Sequence, residues 1–504
     1  MALEHFDVLV VGAGLSGIGA AHHLQQRSPS KTYVILEQRE RIGGTWDLFR
    51  YPGVRSDSDM LTMSYSFRPW TNPQIISPGK DIREYITATA REEGIDRNIR
   101  FRHRITAAAW SSQDAKWTID AVHASPGGRE ERVTLTCNFL LSCAGYYRYS
   151  AGHAPEFPGA GRFRGRLVHP QAWPEDLDYT GKRVVIIGSG ATAVTLLPAM
   201  ADAASYVTML QRSPTYILSL PSTDGVAGQL HRWLPPSWAY RLTRWKNIAL
   251  VMFWYQFARR RPDSVKGILL KGVRQALGPG YDVATHFTPR YNPWEQRLCL
   301  VPDGDFFRAI RSGRAGVVTG QIESFTETGI RLESGEHLDA DIIVTATGLV
   351  LETFGGISLS VDGRSVDAGS TIAYKGVMIS GVPNFASVFG YINASWTLKA
   401  DLISAWVCRV LNRMDRKGMR QVTPKSAGTP AAPFVENFSS GYIQRSLSSW
   451  PKQGSKRPWR VYQNYFRDII SLRWSPIDDR ALEFSNPPRE SRAPAPEVLA
   501  SAGK

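Results

Sequence analysis

The sequence predicts an α/β fold in which a second βαβ unit is inserted into the domain that carries the first. Near the N-terminus, DVLVVGAGLSGIGAAHHLQQ gives a β-branched run, a glycine-rich turn and an Ala-rich helical stretch, and the strand YVILE follows. The same order returns as KRVVIIGSGATAVTLLPAM and SYVTMLQRS. Strand, glycine turn, helix and strand are typical of Rossmann-like dinucleotide-binding domains. Two such domains are therefore predicted.

The first unit carries glycines at GxGxxG spacing, at Gly12, Gly14 and Gly17. The first glycine allows a tight turn, and the second lets a pyrophosphate approach the backbone at the helix N-terminus, where free amides favour negative charge. Glu37 closes the second strand and can accept a hydrogen bond from a ribose hydroxyl. We therefore predict an FAD site in the first unit.

The residues of the second predicted site are Gly188, Gly190 and Thr192. Alignment of the two units places Leu210 where the first unit has Glu37, and Arg212 follows two positions later. An acidic residue at that place repels a 2′-phosphate, whereas an arginine accommodates one. We predict NADPH here; the alternative for Arg212 is a solvated surface arginine.

Two further apolar runs, NFLLSCAGYY at 138–147 and ADIIVTATG at 340–348, each end in a small residue and a glycine. They are predicted to be strands whose ends approach a cofactor, where the chain leaves and re-enters the first domain. The expected parts are an FAD-binding domain at 1–148 and 346–484, an NADPH-binding domain at 149–345 with a helical insertion at about 215–285, and a tail at 485–504. The Pro/Ala/Ser-rich tail is predicted to be disordered.

Composition limits the function classes. The chain has 504 residues, 43% of them apolar, and a net charge of +15, which fits a phosphorylated cofactor, a nucleic acid or an acidic membrane surface. Four cysteines without a CxxC pair exclude a disulfide scaffold and indicate a reducing compartment, and we expect no metal site. With no signal peptide and no apolar run long enough to cross a bilayer, we expect a cytoplasmic protein.

An atypical segment at 231–262, HRWLPPSWAYRLTRWKNIALVMFWYQFARRRP, is rich in Trp and Arg and has no acidic residue. One interpretation is that it seats the protein peripherally on an anionic membrane surface. The other is a helical insertion that packs its aromatic residues over the active site and keeps its arginines in water. The composition favours the second interpretation.

Two longer motifs connect these features to a known family. The first has the pattern FxGxxxHxxxWP, filled by Phe163, Gly165, His169, Trp173 and Pro174. The second, GGTWDLFRYPGVRSD, supplies Gly43, Gly44, Trp46, Tyr51, Pro52, Gly53 and Asp57. Over residues 5–415 the chain resembles type I Baeyer-Villiger monooxygenases, and it looks closest to the branch that activates thioamide prodrugs.

The resemblance implies an enzyme in which NADPH reduces FAD, O2 adds at the flavin C4a position, and the resulting peroxyflavin converts a ketone to an ester. It assigns Arg297 to hold the anionic intermediates, Asp57 to pair with that arginine, and Gly44 and Trp46 to the flavin site. His169 and Trp173 would position NADP and control domain movement. Family members often carry a lysine before the active-site arginine, but this chain has Gln296, which leaves Arg212 with more of the NADPH discrimination.

The resemblance also implies oxidation of sulfur in thioamides or sulfides. Two alternatives remain open: a flavin monooxygenase restricted to nitrogen and sulfur, and a non-oxygenating FAD/NADP-binding protein that senses redox state. Trp294, Trp396 and Phe389 predict an apolar pocket, so we expect apolar ketones or sulfur compounds as substrates, and no nucleic acid partner. A redox pair of Cys137 and Cys143 is not expected, because both lie in a strand outside the first helix.

Overall fold

The computed structural model describes residues 3–487 apart from residues 427, 429 and 437. Within the described residues there are two main sheets, and each has a parallel core. The larger sheet has the strand order Arg364–Ser365, Ser358–Val361, His103–Ser111, Lys116–Ala124, Glu130–Ser142, His5–Val11, Tyr33–Leu36 and Ile99–Arg100, and Phe385–Ser387 also pairs with Glu130–Ser142. The last four strands of this order are mutually parallel. An antiparallel meander extends from them.

The first strand, His5–Val11, is buried on both faces of this sheet. Val8 and Val10 pack into one core cluster, with helices of the first domain, and Leu9 packs into another, with Trp110 and Trp117 of the antiparallel meander. A strand covered on both faces needs a continuous apolar run instead of alternating polarity. This is why DVLVVG shows no period of two.

The second sheet has the strand order Ala315–Thr319, Tyr206–Gln211, Arg183–Ile187, Ile342–Thr345 and Arg166–Val168, all parallel. One face packs on helices, and the other on a small antiparallel sheet of Ile322–Phe325, Gly329–Leu332 and His337–Asp339. The layers of the first domain are thus repeated. The strands of this sheet all lie between those of the first sheet in the chain, which confirms the predicted fold class; the exact domain limits at 148/149 and 345/346 stay a prediction.

The chain passes between the domains twice, and the two passages pair with each other. The backbone amide of Arg148 donates to the carbonyl of Val350 at 2.9 Å, and the amide of His153 donates to the carbonyl of Gly348 at 3.0 Å. The hydroxyl of Thr347 donates to the carbonyl of His153 at 2.5 Å. The connection between the domains is therefore a paired two-stranded ribbon, which we call the linker ribbon (residues 146–153 and 347–352).

The helical insertion differs slightly from its predicted limits of about 215–285. It begins with a strand, Ile217–Leu220, that pairs in parallel with Cys299–Pro302. This pairing buries Ile217 and closes the insertion at its base. The helices follow between residues 225 and 287, and no helix in the described part of the chain is both long and apolar enough to cross a membrane.

The C-terminal part returns to the first domain and packs on the helix Trp396–Lys417. A buried ion pair joins the Lys399 ammonium to Asp468 at 3.3 Å, and the Tyr391 hydroxyl donates to the same carboxylate at 2.7 Å. The predicted disordered tail starts too early, because Ser485 ends a strand, Leu482–Ser485, that pairs with Gln421–Pro424. Residues 488–504 of that prediction lie outside the described residues.

The α-helices of the described residues are Leu15–Arg27, Thr45–Leu48, Met60–Met63, Gly79–Glu92, Ala191–Ala201, Gly225–Trp233, Pro236–Arg260, Pro262–Leu277, Val283–Phe287, Asp305–Arg311, Trp396–Lys417, Gly441–Gln444 and Tyr465–Asp468. Shorter strand pairs are Ala373–Tyr374 with Met378–Ile379, and Ala432–Pro433 with Lys452–Gln453.

Candidate active site

A cavity of about 830 Å³ lies between the two domains, and both glycine turns contribute to its wall. Its volume is within the range of about 300–1,000 Å³ that ligand pockets occupy. The sequence-predicted residues that line it are Gly12, Gly14, Glu37, Gly44, Trp46, Asp57, Gly188, Gly190, Thr192, Arg212, Arg297 and Trp396. The fold therefore brings most of the predicted site residues to one place.

The first glycine turn leaves no room for side chains. The Gly12 amide donates to the Leu36 carbonyl at 2.8 Å with φ +93°, a conformation that favours glycine. A Cβ on Gly17 would lie 1.9 Å from the Gly12 carbonyl oxygen. Gly14 caps the N-terminus of the helix Leu15–Arg27 without a side chain, so the first helix amides stay open for a phosphate group. These features fit a bound dinucleotide.

Glu37 follows the strand Tyr33–Leu36 directly and is 3% exposed. Its carboxylate accepts hydrogen bonds from the amides of Ala13 at 2.7 Å and Arg39 at 2.8 Å. Burial raises the pKa of Glu37, and the two amides oppose that shift. Two donors leave lone pairs free on the carboxylate, which can accept ribose hydroxyls.

A buried carboxylate that the motif analysis did not single out lies beside this turn. Asp47 receives Arg39 at 2.8 Å, Arg50 at 2.7 Å and Arg83 at 3.5 Å. Its position directly after Trp46 was the only signal in the sequence, because its arginine partners are scattered between residues 39 and 83. Asp47 fixes these guanidinium groups, and with them the loop that follows Gly44.

The second glycine turn repeats the geometry of the first. The Gly188 amide donates to the Leu210 carbonyl at 2.8 Å with φ +134°, and a Cβ there would lie 2.4 Å from the Ala346 carbonyl oxygen. Gly190 caps the helix Ala191–Ala201, again without a side chain. Thr192 lies in the first turn of that helix beside the Tyr51 hydroxyl, whose pKa burial raises to about 12.

The residues that differ between the two turns meet at the predicted 2′-phosphate position. Leu210 is buried where the first unit has Glu37, so no carboxylate is present there. Arg212 is exposed and lines the cavity. Gln296, directly before Arg297, lines the cavity as well. The second turn is thus suited to a phosphate-bearing ribose.

Arg297 and Asp57 form an ion pair in the cavity wall, with Nη1 and Oδ2 2.8 Å apart. Asp57 raises the pKa of Arg297 above its ordinary value, although burial opposes this. The two residues are 240 positions apart in the sequence. Asp57 lies in a loop of the first domain, and Arg297 lies just before the strand Cys299–Pro302. The packing of the chain brings the loop and the start of this strand together. One guanidinium nitrogen is used by Asp57, so others remain to bind an anion.

Three tyrosines surround this arginine that sequence analysis did not assign. Tyr146 and Tyr147 follow the strand end predicted to approach the cofactor, and their hydroxyl oxygens are 2.7 Å apart. Tyr442 lines the cavity from the C-terminal segment, for which the sequence offers no motif. Burial raises the pKa of all three tyrosines. They therefore remain neutral at physiological pH and do not cancel the charge of Arg297.

An aromatic wall adjoins the arginine. Trp396 stacks on Tyr146 with ring centroids 5.0 Å apart, and Phe389 lies 5.3 Å from Trp396 and 5.0 Å from Trp450. Phe389, Tyr146 and Arg297 together line a small adjoining cavity. The prediction that Trp294 joins this wall is wrong. Its ring packs on Tyr255 at 5.5 Å in the cluster beneath the insertion, and it lines neither cavity.

His169 holds the linker ribbon and does not line the cavity that contains Arg297. Its Nδ1 accepts from the Gln171 amide at 3.2 Å, and its ring fills the space that a Cβ on Gly152 would need. Gln171 donates in turn to the carbonyls of Arg148 at 2.8 Å and Tyr149 at 3.1 Å. Burial lowers the pKa of His169, so the ring is neutral at physiological pH. The geometry favours a role in positioning the ribbon.

Trp173 packs against the core of the second domain and lies outside the cavity lining of the described residues. Any effect of Trp173 on NADP therefore passes through the fold of that domain. Cys137 and Cys143 are both free and buried, and burial raises the pKa of their thiols. That the two cysteines are not a redox pair stays a prediction. No metal-binding cluster of His, Cys, Asp or Glu occurs within the described residues.

Comparison with known proteins places these features in a family. Residues 6–230 match the family model described as Flavin-binding monooxygenase-like. The chain is 55% identical to the FAD-containing monooxygenase EthA of Mycobacterium tuberculosis over 488 residues, which cover 96% of this chain and 99% of that protein. It is 48% identical to the probable FAD-binding monooxygenase AlmA of Acinetobacter baylyi, covering 95% and 96% of the two chains.

Solved structures share the fold. An oxidized steroid monooxygenase bound to NADP superposes with a TM-score of 0.73 at 23% identity, over 96% of this chain and 100% of that one. The polycyclic ketone monooxygenase of Thermothelomyces thermophila gives a TM-score of 0.75 at 17% identity, over 97% and 91%. With the identity to EthA and AlmA along nearly the whole chain, the protein belongs to the flavin-binding monooxygenases, in the type I Baeyer-Villiger-like branch of EthA, and is a flavoprotein enzyme of that family.

Proposed function

We propose that the protein is a Baeyer-Villiger monooxygenase that consumes NADPH and inserts one oxygen atom of O2 beside a ketone carbonyl to give an ester. One observation carries this proposal: the Asp57–Arg297 ion pair stands in the wall of the cavity that both glycine turns share. A fixed cation at this place suits a reaction that proceeds through anions.

The cofactors are FAD and NADPH, and the two turns fit them in different ways. Gly12, Gly14 and Glu37 would hold the FAD pyrophosphate and ribose, and Gly188, Gly190 and Arg212 would hold NADPH. When bound, FAD reduced by NADPH supplies the activated oxygen. The homologues named as FAD-containing or FAD-binding monooxygenases and the NADP-bound structural neighbour support this pair of cofactors.

Arg297 provides the positive charge that the reaction requires. A guanidinium stays protonated at any working pH and offers donors at fixed angles, so it can bind a negative oxygen and a carbonyl oxygen together. Asp57 aims the guanidinium and satisfies one nitrogen. The neutral phenols of Tyr146, Tyr147 and Tyr442 do not compensate its remaining charge.

The aromatic wall sets the substrate class. Tyr146, Trp396, Phe389 and Trp450 offer ring surfaces beside Arg297 and few polar groups, so apolar ketones fit better than polar ones. Thioether and related sulfur groups also make favourable contacts with aromatic rings. Oxidation of sulfur in thioamides or sulfides is therefore a second proposed reaction of the same site.

His169 and Gln171 act on the linker ribbon. If NADPH reduces the flavin and the nucleotide then stays bound, the second domain would have to move against the first, as domains and loops do in many enzymes. Residues that hold the ribbon set the limits of that movement. They are positioning residues, since neither contacts the Asp57–Arg297 pair.

The test uses the purified yellow protein with NADPH, a medium-chain methyl ketone and isotopically labelled O2. We expect an ester that carries one labelled oxygen atom. If NADPH is consumed, the ketone is recovered unchanged while O2 is reduced to hydrogen peroxide, and a thioether becomes its sulfoxide, the enzyme is restricted to heteroatoms. If the protein shows no NADPH-dependent O2 uptake, with or without added substrate, the result favours the non-oxygenating alternative.

A further inference from the structure

The long insertion helix, Pro236–Arg260, turns its aromatic side chains toward solvent. Trp238, Leu242, Trp245 and Phe253 recur at spacings of four, three and eight, which places them on one helix face. Their exposed fractions are 57%, 46%, 47% and 58%. A helix that covered an active site would bury this face instead.

Polar contacts on the opposite side hold the helix in this orientation. The buried guanidinium of Arg244 donates to the carbonyls of Leu61 at 2.6 Å and Ser64 at 3.0 Å. The amide of Asn247 donates to Asp59 at 3.2 Å, and Thr243 is fully buried. Rotating the helix to bury its tryptophans would strip these groups of partners, so the exposure of the aromatic residues is a property of the fold.

The apolar surface continues onto the C-terminal segment. The Trp245 ring stacks on Phe466 with centroids 6.3 Å apart. Phe466, Ile470 and Trp474 follow one another at spacings of four on a helical stretch and are 42%, 43% and 70% exposed. We call the seven residues the aromatic face: Trp238, Leu242, Trp245, Phe253, Phe466, Ile470 and Trp474. A connected exposed surface of this kind marks an interaction site.

The charged residues of the insertion segment itself are all basic, although Asp224 and Asp263 border it and Asp224 pairs with Lys246. Residues 225–262 include seven Lys and Arg and no Asp or Glu. Arg241, Arg260 and Arg261 are exposed, and none of them forms an ion pair with another described residue. Exposed tryptophans among unpaired arginines complement a surface that is apolar below and anionic above, as an anionic lipid bilayer is.

We propose that the aromatic face docks the protein on an anionic lipid bilayer, with the insertion helix lying in the interface and not crossing it. The underside of this helix shares a core cluster with the cavity-lining Tyr391, through Ile248 and Met252. One helix therefore separates the bilayer from the cavity wall. An apolar substrate dissolved in the lipid would then be close to the site, a consequence that rests on the proposed function, whereas the docking itself does not.

The test is cosedimentation of the FAD-loaded protein with vesicles of neutral phosphatidylcholine, or of phosphatidylcholine with phosphatidylglycerol, at low and high salt. We expect binding to the anionic vesicles, weakened by salt. The variant Leu242→Ser should bind more weakly, whereas Leu167→Ser, at a leucine 48% exposed on the second domain, should bind like the unmodified protein. The double variant R241Q/R260Q should lose about 30-fold in binding, and the control R331Q/R364Q should lose little.

Retention of the flavin spectrum shows that each variant is folded. The proposal fails if the protein does not bind anionic vesicles, or if Leu167→Ser and Leu242→Ser weaken vesicle binding equally. It also fails if the face is covered by a second copy of the chain: sedimentation equilibrium would then show a dimer that Leu242→Ser dissociates, with no vesicle binding. None of these outcomes depends on whether a ketone is oxidised, so failure of the proposed function is detected separately.

Discussion

Arg297 and its partner Asp57 set the charge of the cavity wall beside the aromatic residues. Asp57 contacts a single guanidinium nitrogen at 2.8 Å, and the nearby tyrosines are neutral. The arginine is therefore aimed without being neutralised on all sides. The contributions of Arg297 and Asp57 can be measured separately, because Asp57 acts only by orienting Arg297 and by its own charge.

The first prediction concerns this pair. Arg297→Ala should lower the rate of ester formation by about 10²–10³-fold, because a fixed donor to a developing anion is removed. NADPH oxidation should continue and yield peroxide. Asp57→Asn, which keeps the shape of the side chain, should reduce ester formation less. Product analysis beside NADPH consumption gives both quantities, and equal losses in the two variants would contradict the assigned roles.

The second prediction concerns Arg212. If it binds the 2′-phosphate, Arg212→Ala should raise the KM for NADPH roughly 10- to 100-fold, because a hydrogen bond to a charged group is lost. The KM for NADH should stay the same, since NADH lacks that phosphate. Steady-state kinetics with both nucleotides measures the difference. A similar rise for both would show that Arg212 is a surface arginine with a general electrostatic effect.

The third prediction uses the pH response of His169. Burial lowers its pKa in the folded protein, so the unfolded chain binds the proton more readily. The stabilising contribution is full above the unfolded pKa, about 6.5, and is lost as the pH falls below it. The unfolding temperature of His169→Asn should therefore fall less between pH 7.5 and 5.5 than that of the unmodified protein. His337→Asn, on an exposed hairpin, is the control, and equal pH slopes for all three proteins would refute the assignment.

At the scale of elements, the loop after the helix Thr45–Leu48 docks on the first helix of the second domain. Gly53 has φ +74°, and a Cβ there would lie 2.6 Å from the Cβ of Ala199 and 3.2 Å from the Thr195 carbonyl oxygen. Arg55 pairs with Asp305 of the second domain at 2.5 Å. The two domains are thus in close contact at this loop, near Asp57.

The fourth prediction tests this contact. Gly53→Ala adds both backbone strain and a steric clash, whereas Gly181→Ala adds the strain alone, since Gly181 has φ +66° and open space around it. The first variant should lose roughly 1–3 kcal/mol more stability than the second, the usual cost of overpacking. Urea unfolding measures both. Equal losses would show that the loop can move away from the helix without cost.

Local elements were predictable from the sequence because their causes are local. The glycine turns, their helices and the buried strands depend on residues within about 30 positions of one another. The partners of Asp47 and the approach of Tyr442 to Arg297 depend on contacts across domains, which no local pattern records. The placement of Trp294 failed for the same reason: aromatic residues in sequence do not reveal which cavity they face.

The orientation of the insertion helix was also beyond the sequence. Its composition allows either a cover for the site or a surface element, and the choice is made by Arg244 binding carbonyls of the helix Met60–Met63 and the residue after it. Arginine side chains are usually exposed. Because Arg244 is buried, the helix has the opposite orientation to the one that its composition suggests. The interpretation favoured from composition, in which the aromatic residues pack over the active site, does not match the exposure of Trp238 and Phe253.

At the scale of the whole molecule, we expect the net charge of +15 to raise the association rate of NADPH. NADPH is an anion, and the long-range field of the protein raises the rate at which it arrives. The fifth prediction is that the association rate constant for NADPH falls as salt increases from low to physiological ionic strength, over which the screening length shortens from about 30 Å to about 8 Å. Stopped-flow measurement of flavin reduction at limiting NADPH gives this rate, and a salt-independent value would show that the excess charge lies far from the entrance.

The linker ribbon has a mechanical meaning for the molecule. Backbone hydrogen bonds join its two passages from Arg148–Val350 to His153–Gly348. The two passages therefore cannot move independently of each other. A paired ribbon bends across its thin direction and resists bending in its own plane. We therefore expect the ribbon to favour one direction of domain movement, along which the nicotinamide position would approach the flavin position or withdraw from it.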